Sequence, residues 1–182
     1  MIKDIVPEGV LKDRMKIQDI TKPLLNRYVK LLKDFFGDNL MAVAVFGSLA
    51  RGEAKFPGSD IDLLIVIKGI EKLSFGERVK QTIKVEKKLS RTEEYAKFEN
   101  VFGWSPSIQE IILTSEELKW HPPILLDLTT DAVILYDEGI LSEELEKLRK
   151  KLGKLKAKKI KHNESWFWIL KPDLKLGEVV EL

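Results

Sequence analysis

Two short apolar runs, joined by a polar loop, constrain the fold of this chain more than any other feature. The first spans residues 41–46 and ends in Gly47-Ser48, and the second spans residues 63–67 and follows Asp60-Ile61-Asp62. Short apolar runs bounded by Gly, Pro and Ser are typical of buried strands. The sequence therefore predicts two buried strands with a glycine–serine turn after the first and an acidic pair at the start of the second.

The acidic pair and the turn predict a binding site. Because side chains alternate along a strand, Asp60 and Asp62 point to one side and Ile61 to the other. Two carboxylates placed in this way repel each other, and a divalent metal is their usual counter-charge. Gly47 allows a backbone or a phosphate to come close, and Ser48 is able to hydrogen-bond a phosphate oxygen. These parts together predict a site for a metal-bound nucleoside triphosphate.

The pattern of Phe46-Gly47-Ser48, a spacer over residues 49–59 and Asp60-Ile61-Asp62 resembles the signature of the nucleotidyltransferase superfamily, the polymerase-beta-like fold. The surroundings of Arg51 and Ser59 resemble the small, minimal prokaryotic and archaeal members. The resemblance implies an α/β (α+β) fold, with a mixed central sheet of about four or five strands flanked by helices. It also implies a C-terminal extension.

The resemblance implies a chemistry as well. The expected reaction is Mg²⁺-dependent transfer of a nucleoside monophosphate, AMP from ATP, to an acceptor hydroxyl on a protein, an RNA or a small molecule. Two Mg²⁺ ions would be held by Asp60, Asp62 and a third carboxylate from the neighbouring strand. Ser48 would hold the β- and γ-phosphates, and Arg51 would add positive charge at the leaving pyrophosphate. Gly47 and Ser59 complete the expected nucleotide-binding set.

Glu110 is the predicted third acid. It lies on an otherwise apolar face of a strand predicted over residues 106–113, where a carboxylate is costly unless it is paired or metal-bound. In that position it would be a metal ligand and the base for the acceptor proton. Asp127 and Asp131 stay open as alternatives, because both lie in a later apolar region.

The rest of the chain predicts alternating helices and strands. Pro23 is expected at a break or in the first turn of the first helix. Periodicity and capping signals predict the following elements: helix 8–36, strand 40–46, a short helix from Ser48, strand 61–67, helix 75–97, strand 106–113, a capping box at Thr114-x-x-Glu117, a segment over 124–128, strand 132–136 and helix 142–152. We expect a nucleotidyltransferase domain over residues 1–136, including the N-terminal helix, and a C-terminal helix with a basic, tryptophan-containing tail over residues 137–182.

Composition excludes several functions. The chain has 182 residues and no cysteine, so it has no disulfide, thiolate metal site or thiol nucleophile. Its net charge is only +2, so the total charge gives no reason to expect a polyanionic partner. No apolar run approaches the length of a membrane span, and the N-terminus carries charges where a signal peptide is apolar, so we expect a cytoplasmic protein. Abundant Lys and Glu favour a heat-adapted, thermophilic source.

Other functions stay open. One is a non-catalytic module that binds a nucleotide or a partner, such as an antitoxin-like partner of a helical HEPN-type protein. RNA binding by the basic residues 147–161 is another, although their spacing is more typical of a solvated helix face. Trp166 and Trp168 would share one face of a strand, which favours core packing or a contact in a homo-oligomer.

Overall fold

The computed structural model describes residues 8–163, 165–175 and 177–180, with side chains from Met15 onward apart from Ser165. Its elements are, in chain order, α1 (Glu8–Phe36), β1 (Leu40–Phe46), α2 (Gly47–Ala50), β2 (Ile61–Ile67), α3 (Phe75–Leu89), α4 (Glu93–Phe102), β3 (Ile108–Leu113), α5 (Ser115–Lys119), α6 (Ile124–Asp131), β4 (Val133–Asp137), α7 (Ile140–Lys154), β5 (Lys158–His162) and β6 (Ser165–Ile169).

The central sheet has four strands in the order β3-β2-β1-β4. Strand β1 is antiparallel to both β2 and β4, whereas β2 and β3 run parallel. The mixed sheet flanked by helices confirms the predicted fold class. Parallel pairing of β2 and β3 needs a crossover connection, which α3 and α4 provide.

Each face of the sheet is covered by a separate apolar core. On the first face, Val43 and Val45 of β1 and the odd-numbered residues of β2 pack against α1, α3 and α4, with Tyr28, Leu63 and Phe98 fully buried. On the second face, Ala42 and Ala44 of β1 and Leu64 and Val66 of β2 pack against α5, α6 and α7. A register shift between Leu40 and Ala42 places Leu40 on the first face and Met41 on the second. This alternation assigns every strand side chain to one of two faces, and it decides which side chains reach the acidic pair.

Three elements differ from the sequence-based expectation. The predicted helix over residues 75–97 is two helices, because Thr92 caps α4 and its hydroxyl accepts a hydrogen bond from the Tyr95 N–H. Helix α1 continues through Pro23 without ending there. Residues 158–162 and 165–169, expected as part of a basic, tryptophan-containing tail, form the antiparallel hairpin β5–β6.

None of the helices in the described ranges is long and apolar enough to cross a membrane.

Candidate active site

The glycine–serine turn lies directly on the second aspartate of the acidic pair. Phe46, the last residue of β1, is paired with Asp62 in β2. Gly47 follows with φ +70°, and a β-carbon built at that position would lie 2.1 Å from Asp62 Oδ2. No side chain fits in that space, and the backbone angle is one that L-residues other than glycine rarely adopt. The structure thus brings the predicted turn and Asp62 together.

Asp60 and Asp62 form a coupled acidic pair. Asp60 is exposed, whereas Asp62 is half-buried at the start of β2. Burial, followed by the negative charge of Asp60, raises the pKa of Asp62, and the Arg51 guanidinium acts in the opposite direction. A divalent cation would relieve this repulsion, so the two carboxylates fit the expected metal.

The loop between α2 and β2 is closed by its own hydrogen bonds. Ser59 Oγ accepts the Lys55 N–H at 2.9 Å, and the Ser59 N–H returns to the Lys55 carbonyl at 3.0 Å. The Phe56 ring packs edge-on against Phe98, with ring centroids 5.1 Å apart. These contacts fix the loop in front of Asp60. Ser59, predicted as a nucleotide contact, has this structural task and also lines both cavities of the site.

Arg51 is held by two carboxylates. Its Nε lies 2.7 Å from Glu53, and its Nη1 lies 3.4 Å from Asp131. Burial alone would raise the pKa of Asp131, but hydrogen bonds from Lys159 and Thr130 and the charges of Lys159 and Arg51 hold it below its usual value. Arg51 is thereby fixed beside the turn, with its guanidinium close enough to act on Asp62.

Asp127 and Asp131, the alternatives for the third acid, contact the C-terminal hairpin. Lys159 Nζ lies 2.6 Å from Asp131 and 3.0 Å from Asp127. Trp168 Nε1 donates a further hydrogen bond to Asp127 at 3.1 Å. Both aspartates thus attach the hairpin to α6.

Glu110, the predicted third acid, lies in the core on the α1 side of the sheet. In the parallel pairing of β2 with β3, Glu110 lies beside Leu63, whose side chain belongs to the core on the α1 side. Glu110 accepts a hydrogen bond from the Tyr28 hydroxyl in that core, and burial raises its pKa although the Tyr28 and Thr82 hydroxyls oppose the shift. Its side chain therefore points away from the face that carries Asp62.

Gln109 occupies the position next to Asp62. The two residues are partners in the β2–β3 pairing, so their side chains emerge on the same face. Within the described residues, no group of three or more His, Cys, Asp or Glu side chains is arranged to hold a metal ion. The side chain beside Asp62 on this face is therefore a neutral amide.

Two cavities flank the acidic pair and the turn. A cavity of about 400 Å³ lies beside Asp60 and is lined by Phe56, Phe102 and Trp104. A larger cavity of about 900 Å³ lies beside Ser48 and Arg51, and Lys161 and Trp166 of the hairpin line its outer side. Phe56, Ser59 and Phe102 line both cavities, so the two cavities adjoin at the loop that precedes Asp60.

Sequence reasoning did not assign Trp104, Gln109 or Lys161 to the site. Trp104 follows Gly103, the left-handed residue that ends α4, and its side chain is 65% exposed. The Gly103-Trp104 pair was visible in the sequence, but the exposure of the tryptophan was not. Gln109 and Lys161 had no local signal, since strand pairing and hairpin docking bring them to the site.

The site thus consists of a glycine–serine turn packed on Asp62 of β2, Asp60 just before that strand, and two neighbouring cavities with cationic and aromatic linings. A sequence model of the nucleotidyltransferase domain matches residues 25–124. That match spans more than half of the chain, so the protein belongs to the nucleotidyltransferase domain family, which confirms the resemblance noted in the sequence.

Individual relatives were also identified. A proposed protein adenylyltransferase of Methanocaldococcus jannaschii is 25% identical over 147 residues, which cover 79% of this chain and 90% of the relative. Among solved structures, a proposed nucleotidyltransferase from Sulfolobus solfataricus has 20% identity and a TM-score of 0.44, covering 75% of this chain and 94% of its own. A toxin–antitoxin structure with AMP-PNP has 14% identity and a TM-score of 0.41, and the match covers 72% of this chain and 91% of the chain in that structure.

Proposed function

We propose that this protein transfers AMP from ATP to a hydroxyl group of an acceptor protein. The observation that carries the proposal is the contact of Gly47 with Asp62, which places a phosphate-accessible turn against the acidic pair. Membership of the nucleotidyltransferase family supports transfer of a nucleoside monophosphate. The Methanocaldococcus jannaschii relative, itself a proposed protein adenylyltransferase, supports a protein as the acceptor.

The turn side of the site would bind the phosphates of ATP. Ser48 and Arg51 line the larger cavity, where a hydroxyl donor and a guanidinium suit phosphate oxygens. Arg51 would also stabilise the negative charge that develops on the leaving pyrophosphate. The β- and γ-phosphates would therefore lie toward this cavity, and the α-phosphate would lie beside the acidic pair.

Asp60 and Asp62 would hold Mg²⁺, with the side-chain oxygen of Gln109 as a neutral neighbour. When bound, Mg²⁺ supplies positive charge at the phosphates and lowers the pKa of a hydroxyl that approaches it. The two aspartates would also set the direction from which the acceptor enters, because exposed Asp60 lies at the edge of the smaller cavity.

The reaction would be an in-line displacement. The acceptor oxygen forms a bond to the α-phosphorus while the bond from that phosphorus to the bridging oxygen of pyrophosphate breaks. The hydroxyl proton is released to solvent at the exposed side of Asp60. Trp104 and Phe102 offer an apolar surface beside Asp60, which suits an aromatic or apolar group next to the reacting hydroxyl.

Transfer of label from α-³²P-ATP to protein tests the proposal. The incubation combines the wild-type chain with a lysate of its source organism, and labelled proteins are separated on a gel. We expect a labelled band with the wild type and a loss of at least about 100-fold in its rate with Asp60→Asn or Asp62→Asn, since misplaced phosphates lose this much.

Asp38→Asn is the matched control. Asp38 is an exposed aspartate just before β1, at the opposite end of that strand from Gly47, so its change should leave labelling intact. Equal labelling by the wild type and both active-site variants would overturn the proposal.

A second function, nucleotide binding without transfer, is favoured by one observation. Gln109 stands where a carboxylate would complete the metal site beside Asp62, and a site with two acids instead of three holds its cations less tightly. This alternative predicts that the wild type binds ATP but releases no pyrophosphate with any acceptor. A coupled pyrophosphate assay distinguishes it from the proposed transferase.

A further inference from the structure

The hairpin β5–β6 presents lysine and tryptophan side chains on one face. Lys159 is paired with Trp168 and Lys161 with Trp166 across the two strands, so these four side chains emerge on the same side. The Nζ atoms of Lys159 and Lys161 each lie 5.4 Å from the centroid of the Trp166 ring. These distances are within the range of cation–π attraction, so Trp166 positions both lysines.

This face is attached to the domain at one end and open at the other. Lys159 and Trp168 contact Asp127 and Asp131 of α6, where the Lys159 side chain is only 11% exposed. Lys161 and Trp166, the neighbouring cross-strand pair on the same face, line the larger cavity together with Ser48 and Arg51. The buried Lys159–Asp131 ion pair therefore helps to fix the hairpin in the orientation that places Lys161 at the cavity.

The positively charged lining of the larger cavity favours an anionic ligand. Four cationic side chains line it, and the single acidic one among the described lining residues, Glu53, is already paired with Arg51 at 2.7 Å. The cations come from separate elements, namely Lys16 of α1, Arg51 and Lys55 of the loop, and Lys161 of the hairpin. Cations that converge from several directions suit a group with several anionic oxygens, such as a polyphosphate.

The position of the cavity selects the polyphosphate end of the nucleotide over its nucleoside. Ser48 and Arg51 line only the larger cavity, whereas Asp60 and Trp104 line only the smaller one. The terminal phosphates of a triphosphate bound at the turn would therefore extend toward the hairpin.

We propose that the C-terminal hairpin contributes Lys161 as a binding residue for the β- and γ-phosphates of the nucleoside triphosphate. This residue lies outside the family-matched span of residues 25–124, so the hairpin adds a phosphate contact to the site of the matched domain. The inference rests on the proposed function for the identity of the ligand, but it concerns binding and does not require that transfer occurs.

Equilibrium binding of three probes to the full chain tests the inference. ATP, inorganic tripolyphosphate and AMP are titrated at fixed ionic strength in the presence of Mg²⁺ by isothermal titration calorimetry. Lys161→Gln should lower the affinity for ATP and for tripolyphosphate about tenfold, which is the effect of losing one charged hydrogen bond. It should change the affinity for AMP less than twofold. Lys161→Arg should recover most of the affinity because it keeps the charge.

Lys158→Gln is the matched control. Lys158 precedes Lys159 on the strand, and its side chain emerges on the opposite face of the hairpin. Lys158→Gln therefore removes one positive charge from the hairpin without changing the lining of the cavity. Its ATP affinity should stay within twofold of the wild type.

Three results would overturn the inference: equal losses for the two glutamine variants, an unchanged ATP affinity in Lys161→Gln, or a loss for AMP as large as that for ATP. The label-transfer assay is scored separately. A wild type that binds ATP through Lys161 but labels no protein would leave this inference standing and remove the proposed transferase activity.

Discussion

The Nζ atom of Lys159 lies 2.6 Å from Oδ2 of Asp131, and the two side chains are only 11% and 13% exposed. This ion pair joins a hairpin near the end of the chain to the helix that precedes β4. Asp131 also contacts Arg51 at 3.4 Å, so one carboxylate links the hairpin to the turn that faces the acidic pair.

Lys159→Gln should release the hairpin. Removing one partner of a buried ion pair leaves the other charge without compensation, so we expect the free energy of unfolding to fall by about 3 kcal/mol. Amide hydrogen exchange over residues 158–169 should accelerate more than exchange in the central sheet. Lys158→Gln, on the opposite face, should change stability by less than about 0.5 kcal/mol; equal losses in the two variants would argue against a specific role for the pair.

Gly47→Ala should inactivate the site. The added β-carbon would meet Asp62 Oδ2 at 2.1 Å, and alanine disfavours a φ of +70° at a cost of about 1–3 kcal/mol. Displacement of Asp62 should reduce label transfer by about 100-fold or more.

The matched control for that change is Gly76→Ala. Gly76 lies in α3, where a β-carbon would meet no atom within 4 Å, so this variant should keep full transfer and gain up to about 1 kcal/mol in stability. Retention of wild-type transfer by Gly47→Ala would show that the turn does not need its contact with Asp62.

Gln109→Glu should strengthen metal binding. A third carboxylate beside Asp62 increases the negative charge of the site, and we expect the affinity for Mn²⁺ or Mg²⁺, measured calorimetrically without nucleotide, to rise about tenfold. Glu110→Gln should leave that affinity within twofold, because Glu110 lies on the other face of the sheet. A variant at 110 that loses metal binding would restore Glu110 as a ligand.

Glu86→Gln should change how stability depends on pH. Burial, followed by the nearby charge of Glu110, raises the pKa of Glu86 to about 7. The folded protein therefore binds this proton more tightly than the unfolded chain, so stability is fully present below the unfolded pKa and falls as pH rises toward 7.

Glu86→Gln should abolish this fall in stability with rising pH. At pH 8 it should be more stable than the wild type by about 1 kcal/mol, after allowance for solvent screening of a half-buried group, and at pH 4 the two should be equal. Thermal unfolding across this pH range provides the measurement. Glu116→Gln, at an exposed position of α5, should leave the pH profile unchanged; the same shift in both variants would contradict the assignment to Glu86.

The local parts of the site were predictable from the sequence. Gly47 and Asp62 lie at the ends of two apolar runs, and the pairing of Phe46 with Asp62 follows once those runs form adjacent antiparallel strands. The periodicity of residues 8–36 likewise matches α1, whose Leu24 and Leu32 are fully buried.

The third acid was not predictable in the same way. Alternation along β3 correctly groups Glu110 with Ile112, but the face on which this group lies depends on the parallel register between β2 and β3. A shift of one residue moves every side chain to the other face of the sheet. The sequence contains no local signal for that register. When the strands pair, Gln109 and not Glu110 lies on the same face as Asp62.

The position of the hairpin could not be predicted from the sequence, because it depends on contacts between residues far apart in the chain. Lys159 looked like one more lysine in a basic segment, and only the packing of β5 on α6 reveals that it is a buried partner of Asp131. Pairing of residues 28 positions apart is decided by tertiary structure and not by local pattern.

The amide of Gln109 beside Asp62 has a physiological consequence. A site with two carboxylates would hold its cation less tightly than a site with three. We therefore expect the rate of label transfer to vary with the free magnesium concentration, because a weakly held ion dissociates when that concentration falls.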